Sequence, residues 1–174
     1  FYGIGHAFEA AKISPSRGNP NTNNPTDAKY ELTSYTRSEL VRKARYLEKN
    51  SGQIRGILRD LKVYGIGKGI YPNAKSDNHS WNKQAEDFFF KWSRHCDITN
   101  RFSWRECQSM ILRSLIVDGE IFVIKTFDSF GIPKIQLIES HRLMSPNASD
   151  SGRIVDGMEF DKFGRGKNYY FVVG

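Results

Sequence analysis

Three carboxylates stand out by type and place. Asp118 and Glu120 flank Gly119 in SLIVDGEIFVIKTF (114–127), and Glu139 closes IQLIES (135–140). Carboxylates converging on a cleft do general acid–base work, or hold a divalent cation for phosphodiester cleavage. Metal-dependent nucleases commonly carry an acidic-x-Lys triplet on a strand. The matching triplet here, Asp60-Leu61-Lys62, falls in a helical pattern, while GEIFVIK and IQLIES lack one. Asp-Gly is also a turn signal, because glycine accepts positive φ. The trio therefore reads as a metal-dependent nuclease site or as a structural corner.

Other spacings exclude more than they offer. GIGKG (65–69) lacks the Walker spacing, and it sits after a helix and before an extended run, the reverse of a dinucleotide fingerprint. Cys96, Cys107, His95 and His79 form no CxxC or HxxxH pair, so no metal site is expected. Two cysteines give no disulfide framework, and they read as reduced, partly buried thiols in a cytoplasmic compartment. No cofactor is expected. The sequons at Asn78 and Asn147 read as chance, because FYGIGHAFEAAK has no signal-peptide character.

Charge is the stronger signal. The 174 residues carry a net charge of +7. Segment 37–68 holds nine basic and three acidic residues, a net +6, so almost all of the excess lies there. Arg42, Arg45 and Lys49 are spaced i, i+3, i+7, and Arg55, Arg59 and Lys62 are spaced i, i+4, i+7. Each set shares a helix face. Such faces suit phosphates or an acidic protein surface; the plain alternative is a solvated face with intrahelical pairs such as Arg45 with Glu48.

The positioning elements follow from periodicity. Helices are expected over 36–49, over 53–64 (Ile54, Ile57, Leu58, Leu61), and over 81–95, with Trp81, Phe88, Trp92 and His95 on one packed face. Ser103 with Glu106 is a capping box opening a fourth helix, whose buried face is Met110, Ile111, Leu115, Ile116 and Val117. YGIGKGIYP (64–72) reads as a tight passage, with Gly65 and Gly67, into a strand stopped by Pro72. After Asp118-Gly119-Glu120 come short strands at 120–127, 134–139, 153–160 and 168–173. Turns fall at Asp128–Gly131, PNASDSG and 162–166. Helices followed by strands on short turns give an α+β fold with a mainly antiparallel sheet. Residues 1–29 form an arm and a Pro/Asn-rich linker, and 30–174 one domain. Phe1 and Gly174 both read as cut ends.

Taken in order, RKARYLEKNSGQIRGIL, YGIGKGI, WNKQAEDFFFKWSRHCDITNRFSWRECQSMILRSLIVDGEIFV, IQLIESHRL and IVDGMEFDKFGRGKNYYF resemble the lambda-type phage portal proteins over about residues 30–173. Lys68, and a GRGKN turn lacking the usual proline, depart from that pattern. The resemblance implies a non-enzymatic, ring-forming virion protein, twelvefold in the family, at one capsid vertex. Its partners would be copies of itself, terminase, capsid and head–tail connector proteins, and the double-stranded DNA passing through. The segment matches the wing, ahead of stem, clip and crown. Asp118-Gly119-Glu120 would then be a corner between helices and sheet, with Glu120 a buried or interface carboxylate held by hydrogen bonds. Arg42, Arg45, Lys49, Arg55, Arg59 and Lys62 would meet a subunit or DNA. A separate DNA-binding module and the nuclease trio remain as alternatives.

Overall fold

In the computed structural model, residues 34–146 and 154–172 are described. The N-terminal arm, the linker and most of the PNASDSG turn lie outside them. The chain divides into two compact units, 1–36 and 37–174, and all that follows concerns the second. Four helices lead: α1 (Ser34–Asn50), α2 (Gly52–Gly65), α3 (His79–Ser93) and α4 (Trp104–Val117). Two small antiparallel sheets follow. Strands β1 (Ile121–Phe127) and β2 (Pro133–Glu139) pair in unbroken register from Ile121–Glu139 to Phe127–Pro133. The second sheet is β3 (Ile154–Val155), β4 (Met158–Phe160) and β5 (Gly166–Tyr169). The fold is α+β, as the pattern of helices and then strands predicts.

Local chemistry explains the helix starts. Ser51, Asn78 and Ser103 each accept a backbone N–H of the first turn, satisfying a donor the helix itself cannot. Ser103 and Glu106 complete the expected capping box. At the far end of α4, Asp118 takes the cap position and Gly119 follows at φ +86°, turning the chain into β1.

The core is small. Cys96, Cys107 and Ile135 are buried together, with Trp92, Trp104, Met110 and Leu137 packed around them. Phe89, Trp92 and Trp104 pack edge-to-face or tilted at centroid separations of 5.1–6.2 Å. The strand edge of β2 is extended by the chain after α3: Ile135 N–H donates to Cys96 O and Ile98 N–H to Ile135 O.

Several elements differ from the sequence reading. The expected strand 153–160 is a hairpin. Asp156 and Gly157 both adopt positive φ and reverse the chain between β3 and β4, the Asp-Gly preference that also operates at Gly119. Residues 69–72 form no strand. Side chains of α4 satisfy their backbone instead: Gln108 both donates to and accepts from Ile70, and Trp104 Nε1 donates to Ile70 O at 2.8 Å. That role puts the polar Gln108 inside, while Leu115 and Ile116, expected in the core, are exposed. On α3, Trp92 and Phe89 pack but Trp81 and Phe88 face outward. Ile57 and Leu61 on α2 are exposed as well, leaving Leu58 buried.

Two glycines separate conformational cost from space. At Gly119 an added Cβ meets nothing within 4 Å, whereas at Gly157 it would sit 2.8 Å from Met144 N and 2.9 Å from Leu143 Cγ. Gly119→Ala is expected to lose about 1–2 kcal/mol, the ordinary cost of a left-handed residue. Gly157→Ala adds a backbone clash and is expected to lose about 3 kcal/mol or more. Urea unfolding of the two variants side by side checks the order.

Candidate functional site

Asp118 is the centre of the first sheet's attachment to the helices. Its side chain is completely buried. A carboxylate there is costly unless both oxygens are paired. Arg45 of α1 grips it side-on: Nε donates to Oδ1 at 2.7 Å and Nη2 to Oδ2 at 3.0 Å. Arg113, one turn back on α4, donates from Nη1 to Oδ2 at 3.0 Å. Arg113 also forks onto Glu48 of α1, through Nε to Oε1 at 2.9 Å and through Nη2 to Oε2. Arg45 reaches on to Glu139 Oε2 at the end of β2 (3.2 Å), where His141 Nδ1 lies 3.0 Å from the same oxygen. The network ties α1, α4 and the end of β2 at the Asp118 corner.

Electrostatics follow from this geometry. Burial pushes the Asp118 carboxyl up, but the Arg45 bond and the charges of Arg113 and Arg45 outweigh it and hold it below its usual range. The bond from Arg113 lowers Glu48 in the same way, against a smaller effect of burial. Planar guanidinium forks suit this task; a lysine could not span two oxygens in one plane.

Two readings are corrected here. Glu120, expected as a buried or interface carboxylate held by hydrogen bonds, is half-buried and makes no hydrogen bond or ion pair among the described residues; the buried, hydrogen-bonded carboxylate of the corner is Asp118. The suggested Arg45–Glu48 pair is absent, because each takes a partner elsewhere in the chain. The nuclease trio does not form a cation site. Asp118 has two guanidinium groups where a metal would sit, and Glu139 is shared between Arg45 and His141.

The basic stripe divides. Arg45 points inward to the network. Arg42 pairs with Glu39 one turn earlier, and Arg59 lies 3.3 Å from its neighbour Asp60. Lys49 and Arg55 are exposed and make no ion pair among the described residues. Lys62, half-buried, adds to the positive field on Glu48. Beside this surface, Ile57, Leu61, Tyr64 and Leu112 line an open, largely apolar hollow of about 340 Å³. Gly65 ends α2, and Gly67 follows at φ +53°, with its N–H donating to Lys62 O and its carbonyl accepting from Arg105 Nε. Pairing across 65 and 73 residues leaves no mark in the spacing, so sequence reasoning missed Arg113 and gave Glu48 the wrong partner; His141, two residues from Glu139, was not singled out.

Among the described residues, the best-built polar centre of this α+β scaffold is a saturated ion-pair network that holds its elements together. A family model described as phage portal protein, lambda family, matches residues 16–173, and the chain belongs to that family. No curated protein matches it. The portal family is a structural one, assembled at the capsid vertex as an oligomeric ring. Among the described residues no helix is long and apolar enough to cross a membrane.

Asp118→Ala leaves two guanidinium groups facing each other and is expected to destabilise by about 3–5 kcal/mol. The acid dependence has a definite sign. Folded-state values of Asp118 and Glu48 lie below the starting 3.8 and 4.5, so their contribution is complete above those values and fades as pH falls through the folded ones. The stability gap between wild type and Asp118→Asn, from urea titrations, should be full at pH 7 and shrink steadily below about pH 4.

Proposed function

We propose that this chain is the wing portion of a portal protein, with residues 30–174 as a wing-like domain. The portal forms the ring, twelvefold in the family, through which double-stranded DNA enters the capsid during packaging and leaves at ejection. It serves as docking site for terminase and for the head–tail connector. The observation that carries the reading is the family match over nearly the whole chain. The surface supports it. Leu40, Tyr46, Leu47, Tyr64 and Phe88 are all more than half exposed, a density of apolar side chains that suits contact with further protein. A ring needs heterologous contacts, two different faces of one chain, and side chains on separate helices can supply them.

On this reading the work is geometric and electrostatic. The Asp118 network fixes the angle between helices and hairpin, so that neighbouring copies meet at one repeat angle. The exposed cations Lys49, Arg55 and Arg59 meet an acidic surface of a neighbour or a capsid protein. The portal would be found in the virion and, during assembly, in the host cytoplasm. A nuclease is disfavoured because Asp118 and Glu139 are already committed to cations.

Negative-stain microscopy of the full gene product tests the proposal. Rings with a central hole are expected; small particles without symmetry at high concentration would refute it. The triple substitution K49E/R55E/R59E is expected to leave the unfolding transition within a few degrees. It should weaken assembly about tenfold or more at low salt, with the difference narrowing as salt rises. Analytical ultracentrifugation across a salt series reads both.

A further inference from the structure

Cys96 and Cys107 are the chain's two cysteines, and both are free and wholly buried. Cys96 lies just past α3, pinned by the Ile135 N–H that donates to its carbonyl at 2.8 Å. Cys107 lies in the first turn of α4, behind the Ser103 cap. Their Sγ atoms are 3.9 Å apart. A disulfide needs the sulfurs at about 2.05 Å, a closure within reach of side-chain rotation when the backbones already hold two thiols face to face. The segment between them carries Asp97, Ile98, Thr99 and Phe102, which wall a cavity of about 510 Å³ against Met110 and Leu137.

We propose that Cys96 and Cys107 form an intramolecular disulfide under peroxide-class oxidants, locking the 97–103 segment onto α4. The chemistry balances with one peroxide. The Cys96 thiolate attacks a peroxide oxygen, the O–O bond breaks, and a sulfenic acid and water result once the departing hydroxide is protonated. The Cys107 sulfur then attacks the sulfenic sulfur; the S–O bond breaks and hydroxide leaves, taking up the thiol proton as water. Two thiols lose two electrons in total, and hydrogen peroxide gains them, giving one disulfide and two waters.

The same burial that brings the sulfurs together slows the reaction. It raises both thiols above the usual range, Cys107 to about 12, so thiolate is scarce at neutral pH. Oxidation must wait for local opening. The reduced pair is therefore long-lived, and the bond accumulates under sustained exposure rather than in a fast sensing step.

The test is exposure of the full gene product to hydrogen peroxide, sampled over hours at 25 °C and again some degrees below its unfolding transition. The expected result is a peptide linking Cys96 to Cys107 and a rise in Tm of roughly 5–10 °C, as closing a loop of this length gives. A reducing agent should reverse both. Cys107→Ser should abolish both; should that variant not fold, reversal in the wild type carries the test. Thiols that remain free near the transition, bonds only between chains, or sulfinic acid without a cross-link would overturn the proposal.

Discussion

A carboxylate with no access to water sits between two guanidinium groups, and the rest of the domain depends on that placement. Asp118 alone in the interior would cost several kcal/mol. It is acceptable only with its arginines, and only if α1, α4 and the start of β1 meet at one angle. Glu48 and Glu139 draw the same arginines toward the body of α1 and the end of β2. A buried pair of this kind contributes less to net stability than to exclusion of alternatives, because a slipped helix would strand a charge. On the proposed function, a defined angle between layers matters more than a large stability, because the subunit repeats around a ring.

The apolar residues tell a complementary story. Few of them are fully buried, and the central cluster is built from two thiols, one isoleucine and a ring of tryptophans and methionine. Many large apolar side chains of α1, α2 and α3 face outward. The core holds the domain's shape, and on the proposed function the outward hydrophobic surface serves assembly. Function then resides in shape and charge. The six cations of the basic stripe are not equivalent in this respect: Arg45 belongs to the interior, while Lys49 and Arg55 belong to the surface.

Much was legible in the residues. Helix spacing, the Ser103–Glu106 box, the Asp-Gly corner and the switch to short strands all follow from local rules, because capping and turn chemistry act within a few residues. The family likeness was legible for the same reason, as a series of local segments in fixed order. Local pattern went wrong where burial depended on a distant neighbour. Trp81 and Phe88 have the spacing of a core face, yet nothing among the described residues covers them. Gln108 looks like a surface residue, yet it is inside because Ile70 needs both a donor and an acceptor.

The sequence by itself determined the elements, their order and the class of fold, since each is set by propensity, period and caps over short range. It also determined that positive charge would gather on α1 and α2. Only the tertiary structure decided which charges would leave solvent. Arg45 finds Asp118 across 73 residues and Arg113 finds Glu48 across 65. The choice of partner rests on which helix faces meet, and a stripe at i, i+3, i+7 reads the same whether its arginines reach solvent or a buried carboxylate. That is why the buried, hydrogen-bonded place at the corner went to Asp118.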